Sequence, residues 1–375
     1  LTSNPSFTSN YSNVDWQSSS ANNIVLVESG KQYKVLTLTD CFEYDEQTYN
    51  YYGTYSFTGT KIEQAVVTAI LNVTTDDKVV VDMIKGNNEQ DYSSLKSLLE
   101  NNAYQVNEVS LATGDFDKDA KVAIMYAPSV DLDEKIVEKL STWLSNDGKY
   151  GRSLIYVPTA DMGEMPNLDD FLKEWGMSID RGYVFETDET ALVNASSPYA
   201  FTVSYGDYYK DNLKNSKIPV VVSESHAVNI TDENTAHALL KTTNKAGVVP
   251  IDADKSWDYK DAITGNGENV AAEGVMTNED KKSSKVVVFG SYVMFSDTIM
   301  QYNSFNNSAY FMNVINTIAD KEDVGITIES KSIDNTELGI TDVATQNTML
   351  VVFVIVIPIA ILVAGFVFWL RRRNR

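Results

Sequence analysis

Lys78–Ile84 (KVVVDMI), Lys121–Ala127 (KVAIMYA) and Ser153–Pro158 (SLIYVP) are three nearly continuous apolar runs. Runs of this kind, separated by helical periodicity, mark parallel strands that are covered on both faces. The intervening sequence has that periodicity. Leu95, Leu98 and Leu99 share one face of a helix over Asp91–Ala103; Leu132, Ile136, Leu140 and Trp143 line a second; Leu168, Phe171, Leu172 and Trp175 line a third that Gly176 closes. Val106–Leu111 adds a further strand. The pattern predicts an α/β fold built on a doubly wound, mostly parallel sheet.

Outward from this core the signals are more local. Ile24–Glu28 and Tyr33–Thr39 flank Ser29, Gly30 and Lys31 as a β-hairpin. Thr60 to Glu63 reads as a capping box ahead of a helix with Ile62, Val66, Ala69 and Ile70 inward. Between about 180 and 280 the chain is less periodic, with strand-like pieces at Arg181–Glu186 and Ile218–Val222, a Gly265-Asn266-Gly267 turn and a short helix over Asn234–Leu240. Regularity returns with a strand at Lys285–Gly290, a helix at Ser308–Ala319 and a last strand at Ile326–Glu329. The expected organisation is the end of an N-terminal domain (1–57), an α/β core (58–180), an irregular β-rich insertion or subdomain (181–284) and a return to the core (285–330). A tether (331–348), a transmembrane helix (349–370) and a basic tail (371–375) follow.

The membrane reading comes from Met349–Leu370, 22 residues without a charge, followed by Arg371, Arg372, Arg373 and Arg375. About 20 apolar residues suffice to cross the hydrocarbon layer. Pro358 and Gly365 mark a kink or packing site within the run, and Trp369 stands where an interfacial aromatic belongs. A basic cluster beside a span stays cytoplasmic, so residues 1–348 are expected on the outer face of a cell membrane, in contact with lipid through this anchor. No initiator Met or signal peptide opens the chain at Leu1, and a further span is expected ahead of it.

Charge restricts the partners. The 375 residues hold 30 Lys and Arg against 52 Asp and Glu, a net charge of −22, which excludes nucleic acid as a partner. The single cysteine, Cys41, allows no internal disulfide and points to a bacterial rather than a eukaryotic surface protein.

Catalytic and metal motifs fail on inspection. Asp115-x-Asp117-x-Asp119 begins like a calcium loop, yet Ala120 and Tyr126 stand where its glycine and bidentate glutamate belong. The only histidines, His226 and His237, form no zinc motif, and no Gly-x-Ser-x-Gly elbow occurs. The expectation is no catalytic residue, no metal and no cofactor. In doubly wound sheets ligands bind beyond the carboxyl ends of the strands. Those ends carry Lys85, Gly86, Asn87, Asn88 and Glu89, then Pro128 and Ser129, then Asp161, which together form the candidate ligand or partner face. A second candidate is the tyrosine-rich segment, with Tyr49, Tyr51, Tyr52 and Tyr55 as an aromatic contact surface for a sugar or a protein.

In their order these motifs resemble the auxiliary, substrate-binding-like component of gliding-motility-type ABC transport systems. The resemblance is carried by Asn4-Pro5-x-Phe7 with Tyr11, by VLVESGKQYKVL, IEQAVVTAILNVT and KVVVDMIKGNNEQ, and above all by YAPSVDLDEKIVEKLSTWLSNDG followed by MPNLDDFLKEWGM. KVVVFGSYVMF, the Asn-rich turn before Ser308, and Pro358, Gly365 and the three arginines complete it. Two departures stand out: the family's turn histidine is Asn87 here, and the chain begins inside the family's N-terminal domain. The resemblance implies a flavodoxin-like or class I amidotransferase-like core without the nucleophilic cysteine of those enzymes. It also implies a non-catalytic, extracytoplasmic accessory that recognises cargo or gates an ABC permease, with the ATPase on a separate chain. The alternative is a stand-alone surface module that binds glycan or protein.

Overall fold

The computed structural model describes residues 7–11, 14, 16, 23–75, 77–211, 213, 215–254, 256–300, 304–321, 331–333, 343–363 and 369. The chain forms two compact units, one of Leu1–Leu38 with Glu63–Glu329, the other of Thr39–Ile62 with Ser330–Arg375.

The larger unit is organised by one nine-stranded sheet. Its strands are β1 (Val79–Ile84), β2 (Tyr104–Val109), β3 (Ala120–Tyr126), β4 (Ser153–Val157), β5 (Ala200–Tyr205), β6 (Val220–Ser223), β7 (Ala236–Lys241), β8 (Asn269–Thr277) and β9 (Ser283–Phe289). Their spatial order is β6-β5-β7-β8-β9-β4-β3-β1-β2. The run β2-β1-β3-β4-β9 is parallel, with Val81 opposite both Val106 and Val122. The chain therefore goes from β1 outward to β2 and then crosses back to β3 on the other side of β1, the flavodoxin-like order with its switch point between β1 and β3.

The longer helices are α1 (Ile62–Thr74), α2 (Ser93–Asn101), α3 (Glu134–Ser145), α4 (Pro166–Glu174) and α5 (Asn307–Ile318). On one face Val81, Met83, Ile124, Ile155 and Val287 pack with Leu95 and Leu99 of α2 and Phe311, Val314 and Ile315 of α5. On the other, Ala123, Met125, Leu154 and Tyr156 pack with Leu140 and Leu144 of α3 and Phe171 and Leu172 of α4. Burial on both sides is why these strands lack polar alternation. Local chemistry sets the helix ends: Asp133 accepts from the Lys135 amide at 2.9 Å, Asn146 closes α3 at φ 48°, and Pro166 opens α4.

The sheet is mixed, which corrects the expectation of a mostly parallel one. Residues 181–284 supply β5, β6, β7 and β8, all antiparallel to their neighbours, and thereby extend the sheet. Where a helix over Asn234–Leu240 is expected, the chain turns and then forms strand Ala236–Lys241, because β7 pairs with both β5 and β8. A bulge at Ala238–Leu240 breaks its two-residue alternation and gives the sequence a helical look. In α1 the buried face is Ala65, Thr68, Ala69, Asn72 and Val73, while Ile62 and Ile70 are exposed. Asn72 explains the rotation: it takes Lys78 Nζ at 3.1 Å and donates to the Thr68 carbonyl at 3.1 Å.

The hairpin of Val25–Ser29 and Gln32–Leu36 turns at Gly30, with φ 61°. In the smaller unit Phe57–Thr60 is the middle strand between Phe42–Tyr44 and Lys331–Ser332, and helix Glu46–Tyr52 joins the first two strands in sequence. The expected strand Ile326–Glu329 lies outside the described residues.

The expected transmembrane helix is not found: among the described residues no helix is long and apolar enough to cross a membrane. An α-helix runs only from Val343 to Leu350 and gives way to a π-helical stretch, Val351–Val356, before a short helical piece around Pro358. Proline donates no amide hydrogen bond, and widened turns ahead of it are one way a helix accommodates the loss. The membrane anchor, the outer-face location of residues 1–348 and the membrane and transport character drawn from them thus lose their structural basis. Trp369 is exposed, whereas Gly365, Arg371, Arg372 and Arg373 lie outside the described residues.

Candidate functional site

The loops after β1 and β3 meet at the switch point. Beyond Ile84, Gly86 takes φ 116°, a conformation that favours glycine, and the chain turns back so that Glu89 caps its own loop. Glu89 Oε2 accepts the Gly86 amide at 3.1 Å and Oε1 accepts the Asn87 amide at 2.8 Å. The Glu89 carboxylate thus occupies a small nest of backbone N–H groups.

The two loops are then stitched together. Asn88, at φ 56°, donates its side-chain amide to Ser129 Oγ at 2.5 Å, and that hydroxyl donates to the Asn88 carbonyl at 3.1 Å. The Ser129 and Val130 amides both reach the Asn87 carbonyl, at 3.1 and 3.2 Å, and the Gln90 amide reaches that of Ala127 at 3.2 Å. Ala127, the residue just after β3, is fully buried with φ 47°. A non-glycine residue in this left-handed conformation is strained, and strain at a strand end is typical of functional turns. In a hydrolase the strained residue at such an elbow carries the nucleophilic hydroxyl or thiol. Here it carries a methyl group.

The expected face is therefore partly assembled. Gly86, Asn87, Asn88, Glu89 and Ser129 come together with Pro128 between them in the chain. Lys85 turns away to Glu108 at 3.0 Å, where Lys96 joins at the same distance. These two ammonium groups hold the Glu108 carboxyl below the ordinary carboxylate range. Asp161, after β4, meets the Tyr183 hydroxyl at 3.3 Å, and that hydroxyl donates to the Ala160 carbonyl at 2.8 Å.

Other potential nucleophiles are engaged elsewhere. Ser291, after β9, is buried and donates to the Ser223 carbonyl at 2.5 Å. Burial pushes the Cys41 thiol up, away from the reactive thiolate. His226 is fully buried with its Nδ1 3.0 Å from the Gly182 carbonyl and its Nε2 3.0 Å from that of Thr159, so it pins the loops at the end of β4. Among the described residues no group of His, Cys, Asp and Glu is arranged to hold a metal ion.

Sequence reasoning passed over one charged cluster. Glu273 on β8 is buried, with Lys285 Nζ 3.3 Å and His237 Nε2 3.2 Å from its Oε1, while the Tyr209 hydroxyl donates to Oε2. Lys285 also donates to the Tyr209 hydroxyl at 2.8 Å, and the Tyr208 ring stacks on His237 with centroids 3.6 Å apart. Burial alone raises the Glu273 carboxyl, but His237, Lys285 and Tyr209 together bring it below the ordinary range. The same burial and the carboxylate beside it push the Tyr209 hydroxyl far up. The one available signal was Glu273 inside the apolar stretch Val270–Val275.

No family model matches the chain, and no curated protein matches it. Among solved structures it is similar to "mmIFT52 N-terminal domain", with 13% identity and a TM-score of 0.47 over 66% of this chain and 100% of that one. It is similar also to PurLQS from Thermotoga maritima, at 12% identity and a TM-score of 0.33 over 64% of this chain and 100% of that one. A glutamine amidotransferase from Thermotoga maritima aligns at 7% identity and a TM-score of 0.37, over 65% of this chain and 100% of the other.

Proposed function

We propose that the chain is a non-catalytic accessory of an ABC transport system, whose α/β unit recognises cargo or a partner permease with the loops at its switch point. The observation that carries this reading is the closure of that site on itself. Glu89 fills the backbone nest, Asn88 and Ser129 satisfy one another, and the strained strand-end residue is Ala127. Such a surface offers shape and hydrogen-bonding edges but no nucleophile. The family resemblance of YAPSVDLDEKIVEKLSTWLSNDG and MPNLDDFLKEWGM supplies the kind of partner. The ATPase belongs to another chain, because no Gly-x-x-x-x-Gly-Lys-Ser/Thr loop occurs here.

Affinity capture of the tagged chain from its own cells, after mild detergent extraction, tests the reading. Recovery of an ATPase and a multi-span permease in comparable amounts is expected. Recovery of the chain alone in several detergents contradicts it.

A further inference from the structure

The smaller unit carries a surface with a different chemistry. On helix Glu46–Tyr52, capped by Asp45 at one end and by Gly53 at φ 68° at the other, Tyr51 and Tyr52 are 82% and 70% exposed. Their rings meet edge to face, with centroids 4.8 Å apart, so that two walls of a corner face solvent. Beside them Tyr49 and Tyr55 stack at 4.6 Å, Tyr55 stacks in turn on Phe57 at 5.8 Å, and Tyr44 stands edge-on to both tyrosines. Clustered aromatic exposure on this scale marks an interaction site more often than an idle surface.

The charge around the rings indicates what they bind. Between Thr39 and Thr60 the sequence has Asp40, Glu43, Asp45 and Glu46 and neither lysine nor arginine. Among the described residues of this unit, Lys61 and Lys331 lie at the Thr60 end of the small sheet, as does Asp40 next to Cys41, whereas the aromatic stack lies at its Tyr44–Phe57 end. The face of an aromatic ring is the negative side of its quadrupole and attracts cations. Ring faces and carboxylates thus select in the same sense, as does the net charge of −22. A neutral sugar gains from the rings but nothing from the carboxylates, and an anionic polymer is repelled by them.

We propose that the Tyr51–Tyr52 corner and the Tyr49–Tyr55 stack form a docking surface for an arginine- or lysine-rich segment of a partner protein. The basic side chains lie over the exposed faces of Tyr51 and Tyr52, since those of Tyr55 are taken by Tyr49 and Phe57, and the acidic balance of the segment adds attraction. This surface is independent of the switch-point loops, and its failure leaves their reading untouched.

The test is fluorescence anisotropy of a labelled Arg-Gly repeat peptide with the full chain at low salt, with a Gln-Gly repeat and a neutral chito-oligosaccharide in parallel. The Arg-Gly peptide is expected to bind and the neutral probes are not. Tyr51→Ala with Tyr52→Ala should weaken binding roughly fivefold to tenfold, as the loss of exposed cation–π contacts predicts. Tyr51→Phe with Tyr52→Phe keeps the ring faces and should bind within about twofold of the parent. Equal binding by the alanine variant reduces the effect to bulk acidity and overturns the proposal. So does binding of the oligosaccharide without the peptide, or of neither.

Discussion

Asn88 and Ser129 face each other across the switch point, the amide of one donating to the hydroxyl of the other at 2.5 Å, and so join the loops that follow β1 and β3. Two loops that a ligand would separate in an open α/β crevice are thereby held shut by their own side chains. What they present outward is a preformed surface, on which Val130 is 55% exposed.

Glu89 should be the main internal tie of that surface. Its carboxylate takes the amides of Gly86 and Asn87, and its removal leaves both without that acceptor. Glu89→Ala is expected to cost about 1 kcal/mol, since these bonds are charge-assisted but partly exposed. Urea unfolding of the variant measures it. An unchanged midpoint would show that the nest needs no occupant.

Ala127 should tolerate little at its β-carbon. It is fully buried and its φ of 47° is hostile to β-branched residues. Ala127→Val is expected to destabilise by at least about 2 kcal/mol, through backbone strain and overpacking together. Ala127→Gly relieves the strain but loosens the unfolded chain, so a net change within about 1 kcal/mol is expected. Thermal and urea unfolding of both variants check the contrast, and similar losses in the two would remove strain as the cause.

Glu273 should make stability depend on pH. Its folded carboxyl titrates below the ordinary range, so ionisation favours the fold. This contribution is fully present above the unfolded value, about 4.3 for glutamate, and disappears as pH falls through the depressed folded value. Glu273→Gln removes one partner of a buried ion pair and is expected to cost about 3 kcal/mol at neutral pH. Urea titrations from neutral to strongly acidic pH should show the parent losing its advantage over Glu273→Gln only at the acidic end. A constant difference would assign the cost to packing instead.

The fold's parallel half was legible because Val81, Ile124 and Ile155 belong to strands buried on both faces, which leave an unbroken apolar run in the sequence. Once β1 and β3 are recognised, the rule that ligands lie beyond strand ends leads to Asn88 and Ser129. The pairing of those two depends on register and could not be read along the chain. In the antiparallel half, β7 was hidden by its bulge, which imposes a helix-like spacing on Ala236, Leu239 and Leu240, although Ile218–Val222 read as strand-like. Nor does an alanine in sequence reveal its dihedral angles, so Ala127 went unnoticed. At the C-terminus apolar composition suggested a continuous span, while the backbone changes helical type at Val351. Glu273 was missed because its partners, Tyr209, His237 and Lys285, converge only when β7, β8 and β9 align.

The proposed function requires the switch-point loops to contact a transport partner. A photo-crosslinking amino acid placed at Val130, exposed beside Ser129, tests it in intact cells. A crosslink to a multi-span permease or to its cargo is expected, and it should be lost when Asn88 and Ser129 are both replaced by arginine. Crosslinks that survive this replacement, or none at Val130 beside strong ones from a probe at Tyr51, would contradict it.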